Sequence, residues 1–256
     1  MKKAIICFLI CAFAGFATAQ DRVDEKAWTL SLDQGVYDKY IWRGIQFNEE
    51  GVNQGSVDLS YDTGDYGTFG VNYWYNLDMD DENGTAGQIS EADYTFYWNK
   101  DLGESGFNLE LGFIYYDFSE VDLGSTKEVY AALGYDTFLS PSLTVYYDIE
   151  DVDGFYVELA VGHSFDLSEY LVEGSSFDLG ASIGWADDDM ASGYYGATDV
   201  TTGFTNYKLS AGLNIPVLDY FTITPSIAYY ALLDDADTQA GEDDDIIVGV
   251  NLNFTF

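Results

Sequence analysis

Apolar and polar residues alternate along most of this chain, and the last eleven residues show the pattern most clearly. A period of two gives a β-strand one apolar face and one polar face. A segment of this length also suffices for a tilted strand to cross a bilayer. The apolar parity of the segment holds Ile246, Val248, Val250, Leu252, Phe254 and Phe256.

Eleven earlier segments repeat the pattern, which makes twelve in all. An edge strand of a soluble sandwich would explain one such segment, but repetition along the whole chain favours a barrel. Single-chain bacterial outer-membrane barrels have an even number of strands. A lipid-exposed sheet must also close, because an open edge leaves backbone groups unpaired in hydrocarbon. The pattern therefore predicts an all-β fold, a closed antiparallel transmembrane β-barrel of about twelve strands.

The connections between the segments predict the orientation of the barrel. Short turns fall at Gly64, Ser105 and Pro141, whereas Asp187–Gly203 and Asp234–Asp245 are long. Long loops face the outside in such barrels, so both termini are expected on the periplasmic side. The first strand is predicted to run from Trp28 to Gly44, with Lys39 and Arg43 on its inward face.

The N-terminus has the three parts of a secretory leader. Met1 to Lys3 is positively charged, Ala4 to Phe16 is apolar, and Ala17-Thr18-Ala19 is a cleavage site of the A-x-A type. We expect residues 1–19 to be a signal peptide and residues 20–256 to be the barrel domain. Both cysteines lie within the predicted leader, so the mature chain is expected to carry no thiol chemistry.

The net charge of −36 limits the kinds of partner that the chain is expected to bind. A chain this acidic is a poor ligand for nucleic acid. Disorder is excluded as an explanation, because 22 Tyr, 17 Phe and 5 Trp are far more aromatic residues than acidic disordered chains carry. The acids are instead expected to line the lumen and the outer loops of the barrel.

The polar parity of the strands supplies the candidate lumen residues. Rings of acids favour cations in a pore. Arg43 either braces the lumen as a strut or forms one side of a transverse field. Barrels of eight strands are filled by side chains, and barrels of sixteen or more leave a channel, so a barrel of twelve is intermediate. The pore is therefore expected to be narrow and partly blocked by Tyr97, Tyr130, Tyr146, Tyr156 and Tyr230. The residues predicted to set selectivity are Lys39, Arg43, Asp58, Glu91, Asp93, Glu110, Glu128, Asp148, Glu158 and Asp178, with Lys208 as a further cation.

Catalytic and metal sites are not predicted. His163 is the only histidine, and Ser164 points to the opposite face of the same strand. His163 is therefore expected to be an interfacial residue and not part of a barrel hydrolase. Asp78 and Asp80 have the spacing of a calcium loop, but Ile89 stands where a bidentate Glu is needed. No cofactor is expected; the loop acids are either solvated or bridge weakly to lipopolysaccharide through divalent cations.

The segment Asp38-Lys39-Tyr40-Ile41-Trp42-Arg43-Gly44, followed by Glu49-Glu50, resembles the TorF-type porin family of bacterial outer-membrane β-barrels. The resemblance implies an outer-membrane channel for passive diffusion of small hydrophilic solutes. The alternative is a non-conducting structural or surface barrel whose lumen is closed by tyrosines and ion pairs. Barrels of this kind also commonly end in Phe, here Phe256, which the barrel-assembly machinery reads. The expected partners are that machinery, outer-membrane lipids, lipopolysaccharide and small solutes, and not nucleic acid.

Deletion of Phe256 should impair insertion, because it removes the predicted assembly signal and the last apolar residue of the closing strand. The measurement is the amount of folded barrel in outer-membrane fractions, scored by its heat-dependent mobility in gels. Normal yield of the truncated chain would contradict the assignment of Phe256.

Overall fold

A computed structural model of the chain describes residues 28–81, 84–118, 124–195, 202–233 and 244–256. The predicted signal peptide lies outside the described residues. Among the described residues, no helix is long and apolar enough to cross a bilayer. The strands are β1 Trp28–Tyr37, β2 Tyr40–Trp42, β3 Ile45–Asn48, β4 Val52–Asp62, β5 Thr68–Asp78, β6 Ile89–Asp101, β7 Phe107–Asp117, β8 Ser125–Tyr135, β9 Ser142–Asp148, β10 Phe155–Asp166, β11 Ser176–Ala186, β12 Gly203–Leu218, β13 Phe221–Leu232 and β14 Asp244–Thr255, and helix α1 covers Asp188–Tyr194.

Strands β1 and β4 to β14 form one closed antiparallel barrel, which confirms the predicted fold class and strand number. The seam joins β1 to β14, with Ser31 opposite Thr255 and Tyr37 opposite Gly249. Leu30 and Phe256 exchange two backbone hydrogen bonds of 3.1 and 2.9 Å at the end of this seam. Every wall strand therefore has a hydrogen-bonded neighbour on both sides.

The exterior of the barrel is apolar between two aromatic belts. At the short-turn end, Phe221 stacks on Phe254 with ring centroids 4.5 Å apart. At the long-loop end, Tyr147 stacks on Phe155 at the same distance. Aromatic belts at both ends of a spanning segment lie at the headgroup level of a membrane. The outward side chains between the belts include Val71, Leu111, Val129, Leu159, Leu179, Leu209, Ile227 and Val248, all exposed.

The predicted extent of the first strand is wrong. β1 ends at Tyr37, and β2 and β3 form a separate two-stranded hairpin, so Lys39 and Arg43 do not lie on the inward face of the wall. The turn of the hairpin consists of Arg43 and Gly44, with φ angles of 50° and 84°. Positive φ at both central residues is what a two-residue turn of type I′ requires. The alternation of Lys39 to Arg43 belongs to this hairpin. Asp38, which breaks the outward apolar pattern, marks the point where the chain leaves the barrel wall.

Several inward tyrosines lie flat against the wall over a glycine of the neighbouring strand. Tyr97 is directly opposite Gly70, and Tyr130 is directly opposite Gly112. A Cβ atom added at Gly112 would lie 2.3 Å from the Tyr130 ring. The absence of side chains at these glycines lets each ring cover the neighbouring strand. Tyr97 and Tyr130 therefore line the wall of the lumen and do not project across it.

Replacement of Gly112 by Ala should displace the Tyr130 ring and destabilise the barrel by about 1–3 kcal/mol, the range for overpacking of a filled site. The matched control is Gly212→Ala, since a Cβ there would meet Thr224 at an ordinary 3.5 Å. Urea unfolding of the two variants in detergent measures the difference. Equal unfolding midpoints would contradict the role assigned to the glycine.

Candidate functional site in the barrel lumen

The β2–β3 hairpin lies across the inside of the barrel. On one side, the Tyr40 ring is 5.7 Å from the Trp74 ring of β5. On the other side, Gly44 is so close to β12 and β13 that an added Cβ would lie 2.7 Å from Asn206 and 2.8 Å from Leu232. The hairpin thus reaches from one wall to the other and divides the lumen at the long-loop end.

Arg43 at the tip of the hairpin is fixed by a buried ion pair. Its Nη1 and Nη2 atoms donate to the two carboxylate oxygens of Glu128 on β8 at 2.7 and 2.8 Å. The guanidinium carbon also lies 4.2 to 4.5 Å from the ring centroids of Trp42, Tyr146 and Tyr156. A two-pronged, charge-assisted pair enclosed by aromatic faces holds its geometry firmly. Arg43 therefore tethers the hairpin to the wall, in the manner of a structural strut.

Helix α1, in the loop after β11, covers the hairpin. The side chain of Asp187 caps the helix by accepting a 2.9 Å hydrogen bond from the Met190 amide. Met190 and Tyr195 are buried in one cluster with Ile45 of the hairpin. The Tyr195 hydroxyl donates to the Arg43 carbonyl oxygen at 2.9 Å. Burial raises the pKa of Tyr195 to about 12, so its phenol remains a hydrogen-bond donor even well above neutral pH.

Asp148 ends β9 and organises the loop that follows. One carboxylate oxygen accepts hydrogen bonds from the amides of residues 150–152 at 2.9 to 3.1 Å. The other accepts from Thr126 at 2.7 Å and from Tyr194 of α1 at 2.8 Å. The side chain is fully buried. Asp148 was predicted to face the lumen, but its carboxylate is enclosed by donors of the protein itself. It joins the 149–154 loop to the helix.

Glu91 and Asp93 on β6 lie behind the hairpin. Glu91 is 3% exposed and accepts a hydrogen bond from the Tyr40 hydroxyl. The Oδ1 atom of Asp93 is buried without a hydrogen-bond partner. These two predicted selectivity residues face the packed hairpin and not the open part of the lumen.

The other predicted acids lie on the lumen wall and accept hydrogen bonds from neutral donors. Neutral donors leave the negative charge of a carboxylate in place, so these acids add negative charge to the lumen wall. The acceptor–donor pairs are Asp58 with Tyr97 at 3.0 Å, Glu110 with Tyr130 at 2.8 Å, Glu158 with Ser182 at 3.1 Å, and Asp178 with Ser164 at 2.6 Å and Ser176 at 2.9 Å.

Two cavities with shared lining residues lie beside the hairpin. The larger, of about 470 Å³, follows β11 to β14, where the inward residues are small, as at Gly180, Ser210 and Ser226. Lys39 lines this cavity and forms an ion pair with Asp245 of β14. The smaller cavity, of about 240 Å³, lies between the hairpin and the wall from β10 to β13. Ile41, Lys208 and Tyr230 line both cavities.

Sequence reasoning did not find helix α1, although a signal for it exists. Asp187 followed by two further acids is a typical helix N-terminus, with a capping carboxylate and negative charge in the first turn. A composition rich in Gly, Ser and Asp in this region was consistent with an irregular outer loop. The contacts of Tyr195 with the hairpin depend on tertiary packing and had no signal in the pattern.

The residues outside the lumen lie where the pattern suggested. His163 is on the outer surface, with its ring between Phe138 and Phe165 at 4.1 and 4.5 Å, whereas Ser164 bonds Asp178 in the lumen. Phe256 stacks on Tyr220 at 5.6 Å beside the closing seam. In the described part of the chain, no group of three or more His, Cys, Asp or Glu side chains is placed to hold a metal ion.

Comparison with known proteins identifies the fold. No protein-family model matches the chain, and no curated protein is significantly similar in sequence. An outer membrane channel from Pseudomonas putida F1 is similar in structure, with a TM-score of 0.57 and 13% identity over 91% of this chain and 97% of that chain. The KdgM porin is similar with a TM-score of 0.51 and 9% identity over 89% of this chain and 99% of that chain. The NanC porin is similar with a TM-score of 0.50 and 12% identity over 88% of this chain and 98% of that chain.

The chain has the fold of outer-membrane porins and channels. Its closed barrel with an apolar exterior resides in the bacterial outer membrane. This result supports the resemblance to porins in general, while the narrower TorF-type label has no matching family model behind it.

Replacement of Arg43 by Met should release the hairpin, because it leaves the fully buried Glu128 carboxylate without its cation. Loss of one partner of a buried pair costs about 3–5 kcal/mol. In a Gln46→Cys background, we expect at least tenfold faster labelling of the hairpin by a water-soluble maleimide.

The matched control is Lys127→Met, which breaks the exposed Lys127–Glu150 pair and removes the same charge. Exposed pairs contribute about 0–1 kcal/mol, so labelling in this variant should equal that of the parent. Equal labelling rates for the Arg43 and Lys127 variants would show that the ion pair does not hold the hairpin.

Proposed function

We propose that this protein is an outer-membrane channel for passive diffusion of small hydrophilic solutes. The observation that carries the proposal is the pair of neighbouring cavities beside the hairpin, about 470 and 240 Å³ in volume. Their walls combine small side chains with serine hydroxyls and charged groups, which suit hydrated solutes. The hairpin narrows the path to the side of the barrel formed by β11 to β14.

We further propose that the channel prefers cations. Asp58, Glu110, Glu158 and Asp178 take part in no ion pair among the described residues, so their charges face the lumen uncompensated. Two of the lumen cations, Lys39 and Arg43, are held by Asp245 and Glu128. A low-dielectric wall focuses the remaining negative field and raises the local concentration of cations.

The second candidate is a non-conducting barrel with a structural or surface role. The packed cluster of Ile45, Met190, Ala191, Tyr156 and Tyr195 at the long-loop end favours it, since these side chains are buried as in a protein core. In this alternative the hairpin and α1 form a permanent seal. The two proposals differ in one measurable property, which is ion conductance.

The remaining assignments follow from the same proposal. The barrel is expected to be a TorF-type porin without catalytic activity, exported by the signal peptide at residues 1–19. It would be inserted by the barrel-assembly machinery and be surrounded by lipids and lipopolysaccharide. His163 supports the absence of catalysis, because its ring is packed between two phenylalanines on the outer surface.

Purified protein in planar bilayers should conduct ions, and the reversal potential in a KCl gradient should have the sign of a cation-preferring pore. The preference should weaken with salt, because the Debye length falls from about 30 Å at 0.01 M to about 3 Å at 1 M. Anion preference at low salt would overturn the selectivity, and absence of conductance would favour the sealed barrel.

A pair of matched variants separates the lumen field from general surface charge. Asp178→Asn removes a lumen charge, and we expect a smaller reversal potential at low salt. Glu150→Gln removes a charge that pairs with Lys127 on the exposed outer side, and no change is expected. Equal shifts in the two variants would contradict the proposed role of the lumen acids.

A further inference from the structure

The smaller cavity contains one acid and one base that do not neutralise each other. Glu158 of β10 and Lys208 of β12 both line it. The three ion pairs among the described residues include neither side chain. Glu158 accepts a hydrogen bond from Ser182 through Oε2, and Lys208 lies 5.4 Å from the Tyr230 ring centroid. Both charges therefore remain available to a molecule in the cavity.

The wall geometry keeps the two charges apart. Lys208 is opposite Ser182 of β11, and Glu158 is opposite Gly184, two residues closer to the long-loop end. With two strand spacings across and two residues along, the Cα atoms are roughly 12 Å apart. The two charged groups are not in ion-pair contact, so a small molecule in the cavity can reach both.

Two other polar groups of the cavity, Arg43 and Asn206, already have partners within the protein. Arg43 lines it, but its guanidinium is paired with Glu128 in two hydrogen bonds. Asn206 accepts hydrogen bonds from Tyr156 and Thr205. The charge pattern that a ligand meets is therefore one ammonium and one carboxylate, next to aromatic rings.

The apolar part of the lining comes from the hairpin and from β7 and β9. Ile41 of β2 and Ile114 of β7 border the cavity, together with the rings of Trp42 and Tyr146. Its volume of about 240 Å³ accommodates a molecule of few heavy atoms. A carboxylate, an ammonium group and an apolar surface in one cavity match a small molecule that carries the same three features.

We propose that this cavity binds a small zwitterion with a carboxylate, an ammonium group and a short apolar side chain, the chemistry of an α-amino acid. The ligand carboxylate pairs with Lys208 Nζ, and the ligand ammonium pairs with Glu158. The ligand side chain lies towards Ile41. The inference deepens the proposed channel function, since it names a solute class that the lumen recognises and rests on access of that solute to the cavity.

Calorimetric titration of the folded protein in detergent tests the site with three probes of similar shape. L-Valine carries both charges, isovalerate carries only the carboxylate, and isobutylamine carries only the ammonium group. We expect L-valine to bind at least tenfold more tightly than either single-charge probe. Equal affinity of L-valine and a single-charge probe would overturn the proposal on the unmodified protein, without reliance on any variant.

Variants then assign the charges. Lys208→Gln and Glu158→Gln should each weaken L-valine binding at least tenfold, and Lys208→Arg should retain it. Lys127→Gln is the matched control, because it removes the same charge from the outer side of β8, and its affinity should equal that of the parent. Unchanged affinity in folded Lys208→Gln or Glu158→Gln protein would overturn the assignment.

The outcomes distinguish this inference from the channel proposal. Binding of L-valine without ion conductance would overturn passive diffusion and leave the zwitterion site in place. Conductance without preferential L-valine binding would retain the channel and overturn the site. In a conducting protein, L-valine should also reduce the single-channel current in a saturable manner, and Lys208→Gln should abolish this block.

Discussion

Hydrocarbon offers no hydrogen-bond partner to a peptide group, and this constraint decides the architecture. Every N–H and C=O of the wall must find its partner in a neighbouring strand, so β1 has to meet β14. Closure separates an apolar exterior from an interior that the same strands fill with polar side chains. An even strand number then brings both ends of the described chain to the short-turn end, where Leu30 and Phe256 are paired.

Closure alone leaves more interior than side chains of twelve strands fill. The chain fills one part of it by folding the connection after β1 inward as a hairpin. Tyr97 and Tyr130 lie over glycines on the bulky side of the wall, and small residues line the opposite side from β11 to β14. The lumen is therefore asymmetric, with packed protein on one side and a cavity of about 470 Å³ on the other.

The strand pattern was sufficient to predict the fold, because lipid exposure enforces the alternation on every wall strand. It was insufficient for the hairpin, since Lys39 to Arg43 alternate as a wall strand would, and an inward polar residue looks the same whether it faces water or packed protein. For the same reason Asp148 and Asp178 were indistinguishable in the sequence. Asp148 is buried beneath a loop, and Asp178 borders the large cavity.

The tether of the hairpin also bears on the order of assembly. Arg43 and Glu128 are 85 residues apart, whereas Ser31 and Thr255 at the seam are 224 apart. The entropy lost on closing a loop grows with its length, and non-local pairings form slowly. The strands from β4 to β8 suffice for Arg43 to reach Glu128. A partly formed, open sheet can thus already hold the β2–β3 hairpin on its inner face. The seam between β1 and β14 then closes around the bound hairpin.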